Sequence, residues 1–334
     1  QRQKEDKKTL QVLQDDLSTL IEPYLSAKES EGLKVTTLQH LYYELHELAS
    51  YLEDIPVHKV TKEHIQSYLS FQKSKGLVDR TIKESLNDLR GFFKWLHEDK
   101  KALEENPAAT VKFKMTQAPR KKQEVLSKDE HKRLKDIMEE MFFTFLTKHN
   151  KWCLKYRMYP LYLLTYESGL REGEVAGLKW ECVNFEEDTI SVLTKVSYVS
   201  TKGIFETTPK TISGFRTIKL SHKTMRVLKE LQEAYEEKHF HSEYVFANYN
   251  KHGAVFTPNN ILKTFKKMLK CAGIQRNFTF HGIRHTNASL MFASKVEHTV
   301  IAERLGHASV ATTYKVYTHA LQDDEDRRKA LVIA

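Results

Sequence analysis

The chain has 334 residues, enough for two domains of ordinary size. Its composition, 40% hydrophobic and 29% charged, is that of a folded globular protein and excludes a largely disordered one. No apolar run approaches the ~18 residues of a membrane span, and the first stretch, QRQKEDKK, lacks the apolar core of a secretory signal. We therefore expect no membrane partner. The three cysteines, Cys153, Cys182 and Cys271, show no metal-ligand spacing, which favours a reduced, cytoplasmic protein.

The net charge of +9 is unevenly distributed along the chain. Residues 1–120 carry 19 basic and 19 acidic side chains, so the remaining residues supply the whole excess. Basic proteins of this kind commonly bind nucleic acid, although charge alone does not establish it. If DNA is the partner, the second part of the chain carries the net attraction.

Residues 9–105 show the periodicity of amphipathic helices. Leucines recur at helical spacing through 10–21 and 38–52, and apolar residues do so through 82–96. Thr61 and Gly76 are suitable first and last caps for a helix between them. The pattern predicts a bundle of four or five helices, which we assign to a first domain, 1–111.

The segment 106–125 interrupts this periodicity with two prolines and a run of basic residues. It predicts a linker over 112–126 that can follow a phosphate backbone. A solvated linker with no DNA contact is the alternative. The candidate DNA-binding side chains are Lys112, Lys114, Arg120, Lys121 and Lys122.

From Ser127 onward the pattern predicts a second domain, 127–320. Helical spacing continues to about residue 168, and short β-branched runs then favour a small antiparallel sheet over 183–220. Helices are expected again from Ser221 to the end. The fold class is therefore mainly α with a small antiparallel sheet: a helical bundle followed by an α+β domain.

Four stretches of the second domain, taken together, resemble the signature boxes of the tyrosine recombinases, also called the phage integrase family. In order they are TYESGLREGEVAGLKW, TPKTISGFRTIKL, HGIRH and LGHASVATTYKVYTH. The resemblance covers 127–320. It extends more weakly over the bundle, where RTIKESLNDLRGFFKWL is similar to the family's core-DNA-binding domain. It implies a catalytic set made of Arg171, Glu174, Lys210, His281, Arg284, His307 and the nucleophile Tyr317.

The chemistry of a DNA phosphodiester suits these roles. Arg171 and Arg284 can clamp the non-bridging oxygens with paired hydrogen bonds, a geometry that lysine cannot copy. A phenol is a poor nucleophile until a neighbour accepts its proton, and His281 is the implied acceptor. Lys210 would protonate the departing 5′ oxygen, and His307 would donate a hydrogen bond to the phosphate.

Several assignments stay open at this level. Tyr314 rivals Tyr317 as nucleophile, and only the family pattern selects Tyr317. Glu174 would orient the cations of the site, or form an ordinary surface ion pair with a neighbouring helical residue. Arg216 would contact a backbone phosphate, or be a solvated strand residue. Two further histidines are expected to be structural: His285 and His319.

The resemblance implies a site-specific recombinase that cleaves and rejoins DNA through a 3′-phosphotyrosine and a Holliday junction. It implies four protomers on two DNA sites, with no metal and no cofactor. We expect integration and excision of a phage or conjugative transposon. Resolution of chromosome dimers or cointegrates is the alternative, and a type IB topoisomerase or a non-catalytic regulator is less favoured.

Three further expectations concern partners and location. The segment 321–334 ends in an apolar cluster, and the family resemblance implies that it docks on a neighbouring protomer; packing on its own domain is the alternative. DNA-bending or directionality proteins are expected as accessory partners. The cellular setting would be the bacterial cytoplasm, in association with the nucleoid.

Overall fold

The computed structural model describes residues 16–53, 55–116, 125–148, 153–200, 202–209, 211–249 and 253–311. The chain divides into two compact units, 1–120 and 121–334. The division falls inside the predicted linker. The architecture, mostly helical with small antiparallel sheets, confirms the predicted fold class. None of the helices within these ranges is long and apolar enough to cross a membrane.

Helices with one apolar face make up the first unit. Along the longest of them, the predicted apolar positions from Ile82 to Leu96 are at most 2% exposed, so the periodicity identified the buried face correctly. Helix packing on this face supplies most of the unit's stability, because helical stability in proteins comes mainly from tertiary packing of an amphipathic face. The helices are α1 (Leu17–Ser30), α2 (Val35–Leu52), α3 (Lys62–Ser74) and α4 (Asp79–Glu98), with a 3₁₀ turn at Val57–Lys59.

A polar cluster joins three of these helices inside the first unit. The Glu44 carboxylate on α2 accepts hydrogen bonds from Tyr68 (3.1 Å) and Gln72 (3.0 Å) on α3, and from Ser85 on α4. Burial, together with the Glu44 and Glu47 charges, raises the pKa of Tyr68, so its hydroxyl stays a donor. Because a buried donor left without an acceptor is costly, these bonds fix the positions of the three helices relative to one another.

The beginning of the predicted linker packs on the first unit. Arg90 of α4 donates to the Val111 carbonyl at 2.7 Å, and the Thr116 amide donates to Asp79 at 2.7 Å. Val111 is wholly buried. Residues 111–116 therefore lie against the bundle, and the residues between 116 and 125 are outside the described ranges.

The second unit places helices around small sheets. Its helices are α5 (Lys128–Thr147), α6 (Met158–Ser168), α7 (Glu172–Ala176), α8 (His222–Glu237), α9 (Pro258–Cys271), α10 (Phe280–Ala293) and α11 (His298–Leu305). Short 3₁₀ turns lie at Leu154–Arg157, Trp180–Cys182 and Ile212–Gly214. Ser127 opens α5 as predicted: its hydroxyl accepts from the Glu130 amide, and its own amide donates to the Glu130 carboxylate.

The predicted sheet region, 183–220, forms two antiparallel sheets. One has the order β1 (Val183–Asn184), β2 (Thr189–Val192), β5 (Arg216–Lys219), and the other pairs β3 (Lys195–Val199) with β4 (Gly203–Thr207). In the first sheet Ile190 is paired with Ile218, and both are buried. Arg216 is two residues before Ile218, so its side chain leaves the strand on the same, inward face.

One expectation about the second unit is wrong. Helices do not run without interruption from Ser221, because a short antiparallel pair, β6 (Ala247–Asn248) and β7 (Ala254–Val255), lies between α8 and α9. Ala247 and Val255 face each other in it and are buried. Two-residue strands are too short to show alternation in the sequence.

The turn after α6 is tightly packed. Gly169 has a φ of +67°, and a Cβ atom there would lie 2.5 Å from the Leu305 side chain and 3.1 Å from Asn287 Oδ1. Asn287 donates to the carbonyls of Tyr166 and Glu167 at 2.8 and 3.0 Å. The end of α6 is thus held against α10 and α11, which fixes where the chain enters α7.

This packing predicts that Gly169→Ala destabilises the second unit more than Gly203→Ala. Both glycines have positive φ, but a Cβ atom at Gly203 meets nothing within 4 Å. We expect about 1 kcal/mol of lost unfolding free energy at Gly203 from backbone strain alone. At Gly169 we expect ~1–3 kcal/mol more from overpacking. Calorimetric unfolding of both variants measures the difference, and equal losses would contradict the close packing.

Candidate active site

The first arginine box lies at the start of α7. Arg171 is the residue that precedes this one-turn helix, and its backbone amide and its Nη1 donate to Glu174 at 3.0 and 2.8 Å. The Glu174 side chain is only 5% exposed, whereas that of Arg171 is 40% exposed. The alternative of a surface ion pair is therefore wrong, because the carboxylate is buried and the arginine alone reaches solvent.

A second arginine approaches Glu174 from the sheet. Arg216 Nη2 donates to the carboxylate at 2.8 Å, and the Arg216 side chain is 6% exposed. Burial by itself raises the pKa of Glu174, but the hydrogen bond and charge of Arg216, with those of Arg171, outweigh burial and hold the pKa below its ordinary value. Glu174 is thus a charged, buried group that two arginines share.

Three arginines from three elements converge on the carboxyl end of α11. Arg216 Nε donates to the Arg304 carbonyl at 2.8 Å, and Arg284 Nη2 to the Leu305 carbonyl at 2.7 Å. Arg171 Nη2 donates to the Gly306 carbonyl at 3.3 Å. The last carbonyls of a helix have no partner within it, and this end carries partial negative charge, so cations are favoured there.

Gly306, in the Leu-Gly-His box, is required by this arrangement. It ends α11 with a φ of +65°, in the left-handed region. A Cβ atom there would lie 2.9 Å from Arg216 Nη1 and 3.0 Å from the Ser213 carbonyl. The glycine therefore lets the arginines come close to the chain just before His307.

Arg284, from the third box, is the most deeply buried of the three. Located on α10, it is 1% exposed, and its Nη1 donates to the Gly169 carbonyl at 2.7 Å. One guanidinium therefore bridges the turn before Arg171 and the end of α11. The planar fork of arginine makes such a two-directional contact possible.

Three histidines accompany these cations. His281 and His285 lie on α10 with their rings 4.7 Å apart. His281 reaches solvent, but partial desolvation of its ring and then the charge of Arg284 lower its pKa. The pKa of His285 falls to about 4, because of burial and of His281, Arg284 and His307. Burial, Arg284, Arg171 and Arg216 lower the pKa of His307 to about 4. At neutral pH all three rings are uncharged, so each carries one nitrogen that can accept a proton.

The structure brings together five of the residues proposed for catalysis: Arg171, Glu174, His281, Arg284 and His307. Lys210, Tyr314, Tyr317 and His319 lie outside the described residues. In the part of the chain that is described, no group of three His, Cys, Asp or Glu side chains is placed to hold a metal ion.

The structure describes three of the six proposed DNA-binding residues, and they lie in two different environments. Lys112 and Lys114 line a surface pocket of about 540 Å³ in the first unit. Arg216 needs a correction: its guanidinium is neither solvated nor placed on the surface to meet a phosphate, because Glu174 and the Arg304 carbonyl bind it inside the unit. The remaining three candidates lie outside the described residues: Arg120, Lys121 and Lys122.

Sequence reasoning missed two residues that build the site. Arg304 donates to the Glu167 carbonyl at 2.8 Å and to the Lys219 carbonyl at 3.0 Å, and so ties α11 to α6 and β5. Asn287 holds the end of α6. A signal existed for Arg304, since a basic residue in the last turn of a helix favours contact with carbonyls.

The neutral histidines predict acid sensitivity of the second unit. Because the pKa of His285 is about 4 when folded and ~6.5 when unfolded, the unfolded state binds the extra proton as pH falls through that interval. The free energy of unfolding should therefore fall from pH 6.5 toward pH 4. In His285→Gln the slope should be shallower by up to about one proton. Urea unfolding at several pH values measures it, and an unchanged slope would argue against the lowered pKa.

Comparison with known proteins agrees with this geometry. The Phage integrase family model matches residues 124–324. A "Tyrosine recombinase XerC-like" protein of Caldanaerobacter subterraneus subsp. tengcongensis is 30% identical over 77% of this chain and 66% of its own length. The ICEBs1 integrase of Bacillus subtilis is 25% identical over 90% of this chain and 78% of its own length.

Solved structures share the fold. The Tn1549 transposon integrase is 18% identical and superimposes with a TM-score of 0.70, covering 96% of this chain and 100% of that one. A lambda integrase dimer is also 18% identical, with a TM-score of 0.62 over 89% of this chain and 96% of that one. The resemblance of the four boxes is thereby confirmed. The chain belongs to the phage integrase family and is a tyrosine recombinase, an enzyme of site-specific recombination.

Proposed function

We propose that this chain cleaves and rejoins double-stranded DNA through a 3′-phosphotyrosine at Tyr317, to integrate and excise a mobile element. The observation that carries the proposal is the convergence of Arg171, Arg284 and His307 on the end of one helix. Three arginines meet there beside a single buried carboxylate, which only Arg171 and Arg216 contact, so the cluster keeps an excess of positive charge. A phosphate diester is the anion that such a cluster fits best.

The residues divide the chemistry between them. Arg171 is 40% exposed, so part of its guanidinium is open to a non-bridging oxygen. Since the charge on those oxygens grows during attack, a fixed donor accelerates the reaction, and removing one costs about 10²–10³ in rate. His281, uncharged at neutral pH, would accept the phenol proton of Tyr317. His307 would donate to the phosphate, and Lys210 would protonate the leaving 5′ oxygen.

Relatives support the DNA substrate and the assembly. The matching structures include a lambda integrase dimer bound to a core site, a lambda integrase tetramer bound to a Holliday junction and a Tn1549 integrase in complex with transposon end DNA. By analogy, we propose four protomers on two DNA sites. Accessory DNA-bending or directionality proteins and association with the bacterial nucleoid belong to the same proposal.

The first unit would grip DNA through its basic side chains. Lys112 and Lys114 line the 540 Å³ pocket together with Gln66 and Ser70 of α3 and with the ion pair between Lys73 and Asp79. Lysines beside amide and hydroxyl groups suit a phosphate backbone, and such contacts carry no sequence information. We also propose the domain division expected from the sequence, in which a linker over 112–126 joins the first domain, 1–111, to the second, 127–320.

Resolution of chromosome dimers or cointegrates is the second candidate. Its support is the XerC-like relative, which is 30% identical, whereas the ICEBs1 integrase supports the mobile element. The two use the same chemistry, so the DNA that is cleaved separates them. A site at the ends of an element indicates integration, and a single chromosomal site indicates resolution.

The nucleophile is predicted to be Tyr317. A plasmid library is incubated in EDTA with wild type, Tyr317→Phe or the matched control Tyr314→Phe, and stopped with SDS. We expect protein joined to DNA 3′ ends in wild type and in Tyr314→Phe, and no adduct in Tyr317→Phe, because a ring without the hydroxyl cannot attack phosphorus. Sequencing the attached DNA gives the site. An adduct that persists in Tyr317→Phe and disappears in Tyr314→Phe would reverse the assignment.

The segment 321–334 is proposed to dock on a neighbouring protomer. Deleting it should leave the affinity of the first bound protomer within about threefold and abolish cooperative binding of the second, because only the contact between protomers is lost. Gel-shift titration on DNA with one and with two copies of the binding site separates the two effects. Cooperativity equal to that of the full chain would show that the segment packs elsewhere.

A further inference from the structure

We propose that Arg216 is a positioning residue that orients Arg171 through Glu174 and fixes the end of α11 ahead of His307. This inference rests on the proposed function, because it concerns the phosphate-binding group of the same site. It replaces the direct DNA contact expected from the sequence.

The contacts of Arg216 leave little of it for a ligand. Nε donates to the Arg304 carbonyl at 2.8 Å, Nη1 to the Gly214 carbonyl at 3.0 Å, and Nη2 to Glu174 at 2.8 Å. With 6% of its side chain exposed, the guanidinium is enclosed by the protein. Arg171, in contrast, makes fewer internal contacts and is 40% exposed. Of the two arginines on Glu174, one is therefore enclosed and the other is open.

The carboxylate transmits the position of one arginine to the other. Glu174 Oε2 accepts from Arg216 Nη2 and from the Arg171 amide, and Oε1 accepts from Arg171 Nη1 and, at 3.4 Å, from Arg216 Nη1. Both oxygens are thus shared. Arg216 holds the carboxylate from the sheet side, and Arg171 is held against the same two oxygens.

The arrangement determines how much positive charge Arg171 keeps for a ligand. A single arginine beside a buried carboxylate forms a neutral pair, and the carboxylate then draws the guanidinium toward itself. With Arg216 present, Glu174 is already compensated, so Arg171 keeps net positive charge for a phosphate. Removing one partner of a buried ion pair leaves an uncompensated charge, which is strongly destabilising and distorts what remains.

The second contact of Arg216 reaches the helix end. Its bond to the Arg304 carbonyl lies next to the bonds of Arg284 and Arg171 to the following two carbonyls. Arg216 therefore fixes the turn that carries His307 as well as the arginine opposite it. Its effect on the reaction should appear in the rate of cleavage rather than in the affinity for DNA.

The test uses the full chain and a nicked duplex that carries the site sequenced from the wild-type Tyr317 adducts. Single-turnover cleavage, the DNA Kd and the salt dependence of Kd are measured for Arg216→Met, Glu174→Gln and the double variant. Arg226→Met is the matched control, since Arg226 is 65% exposed on α8 and its Nε lies 3.8 Å from Glu230.

We expect Arg216→Met to slow cleavage about 10–100-fold, by analogy with the loss when a residue that orients a metal ligand is removed. Its Kd should stay within about threefold, with an unchanged salt slope. The double variant should cleave at the rate of Glu174→Gln alone, because both substitutions break the same series of contacts from Arg216 through Glu174 to Arg171. Arg226→Met should behave as wild type.

Other results would overturn the inference. Losses in cleavage that multiply in the double variant, or a weaker Kd with a salt slope lower by about one, would make Arg216 an independent phosphate contact. If Arg216→Met fails to fold, Arg216→Lys keeps the charge beside Glu174 but not the two-directional contact. Wild-type cleavage by Arg216→Lys would then contradict the proposal. Failure of wild type to form any Tyr317 adduct would instead count against the proposed function.

Discussion

The second unit depends on one constraint: the guanidiniums of Arg216 and Arg284 lie where water can hardly solvate them, and that of Arg171 meets them at the same place. A buried charged group must have its hydrogen bonds met by the protein. The unit meets this demand at the carboxyl end of α11, where the carbonyls of Arg304, Leu305 and the capping Gly306 each accept from a different arginine, and with one buried carboxylate. The loop after α6, strand β5 and helix α10 each contribute an arginine. The catalytic boxes, distant in sequence, therefore meet at a place that the backbone itself provides.

The same cluster sets the electrostatics of the site. Burial and the neighbouring charges together lower the pKa of His281, His285 and His307, so these rings are uncharged at neutral pH. A neutral imidazole can accept a proton from a phenol, whereas a protonated one cannot. In the proposed mechanism the arginines would therefore act twice, as binders of the phosphate and as the charges that keep a base available.

The sequence predicted the helices and the identity of the boxes better than it predicted the network between them. Apolar periodicity located the buried face of α4, and four ordered motifs indicated which residues meet. The burial of Glu174 was not predictable from a spacing of three, which fits an exposed helix equally well. Its second partner is 42 residues away, at a register fixed only by the sheet. The alternation of side chains along β5 did contain one signal that Arg216 faces inward, because it lies two residues before Ile218 and so on the same face of the strand.

Each arginine in this cluster bridges two separate elements, and that explains why the residue type matters at three positions. Arg284 joins the Gly169 turn to the end of α11, Arg171 joins α7 to the same end, and Arg216 joins the carboxylate to it. A lysine ammonium is a compact point charge on a flexible stem, so it satisfies one acceptor and leaves the other element unattached. Positive charge alone therefore does not build this site. The forked, planar geometry of guanidinium holds the elements in place before any phosphate arrives, which is the preorganisation that transition-state stabilisation requires.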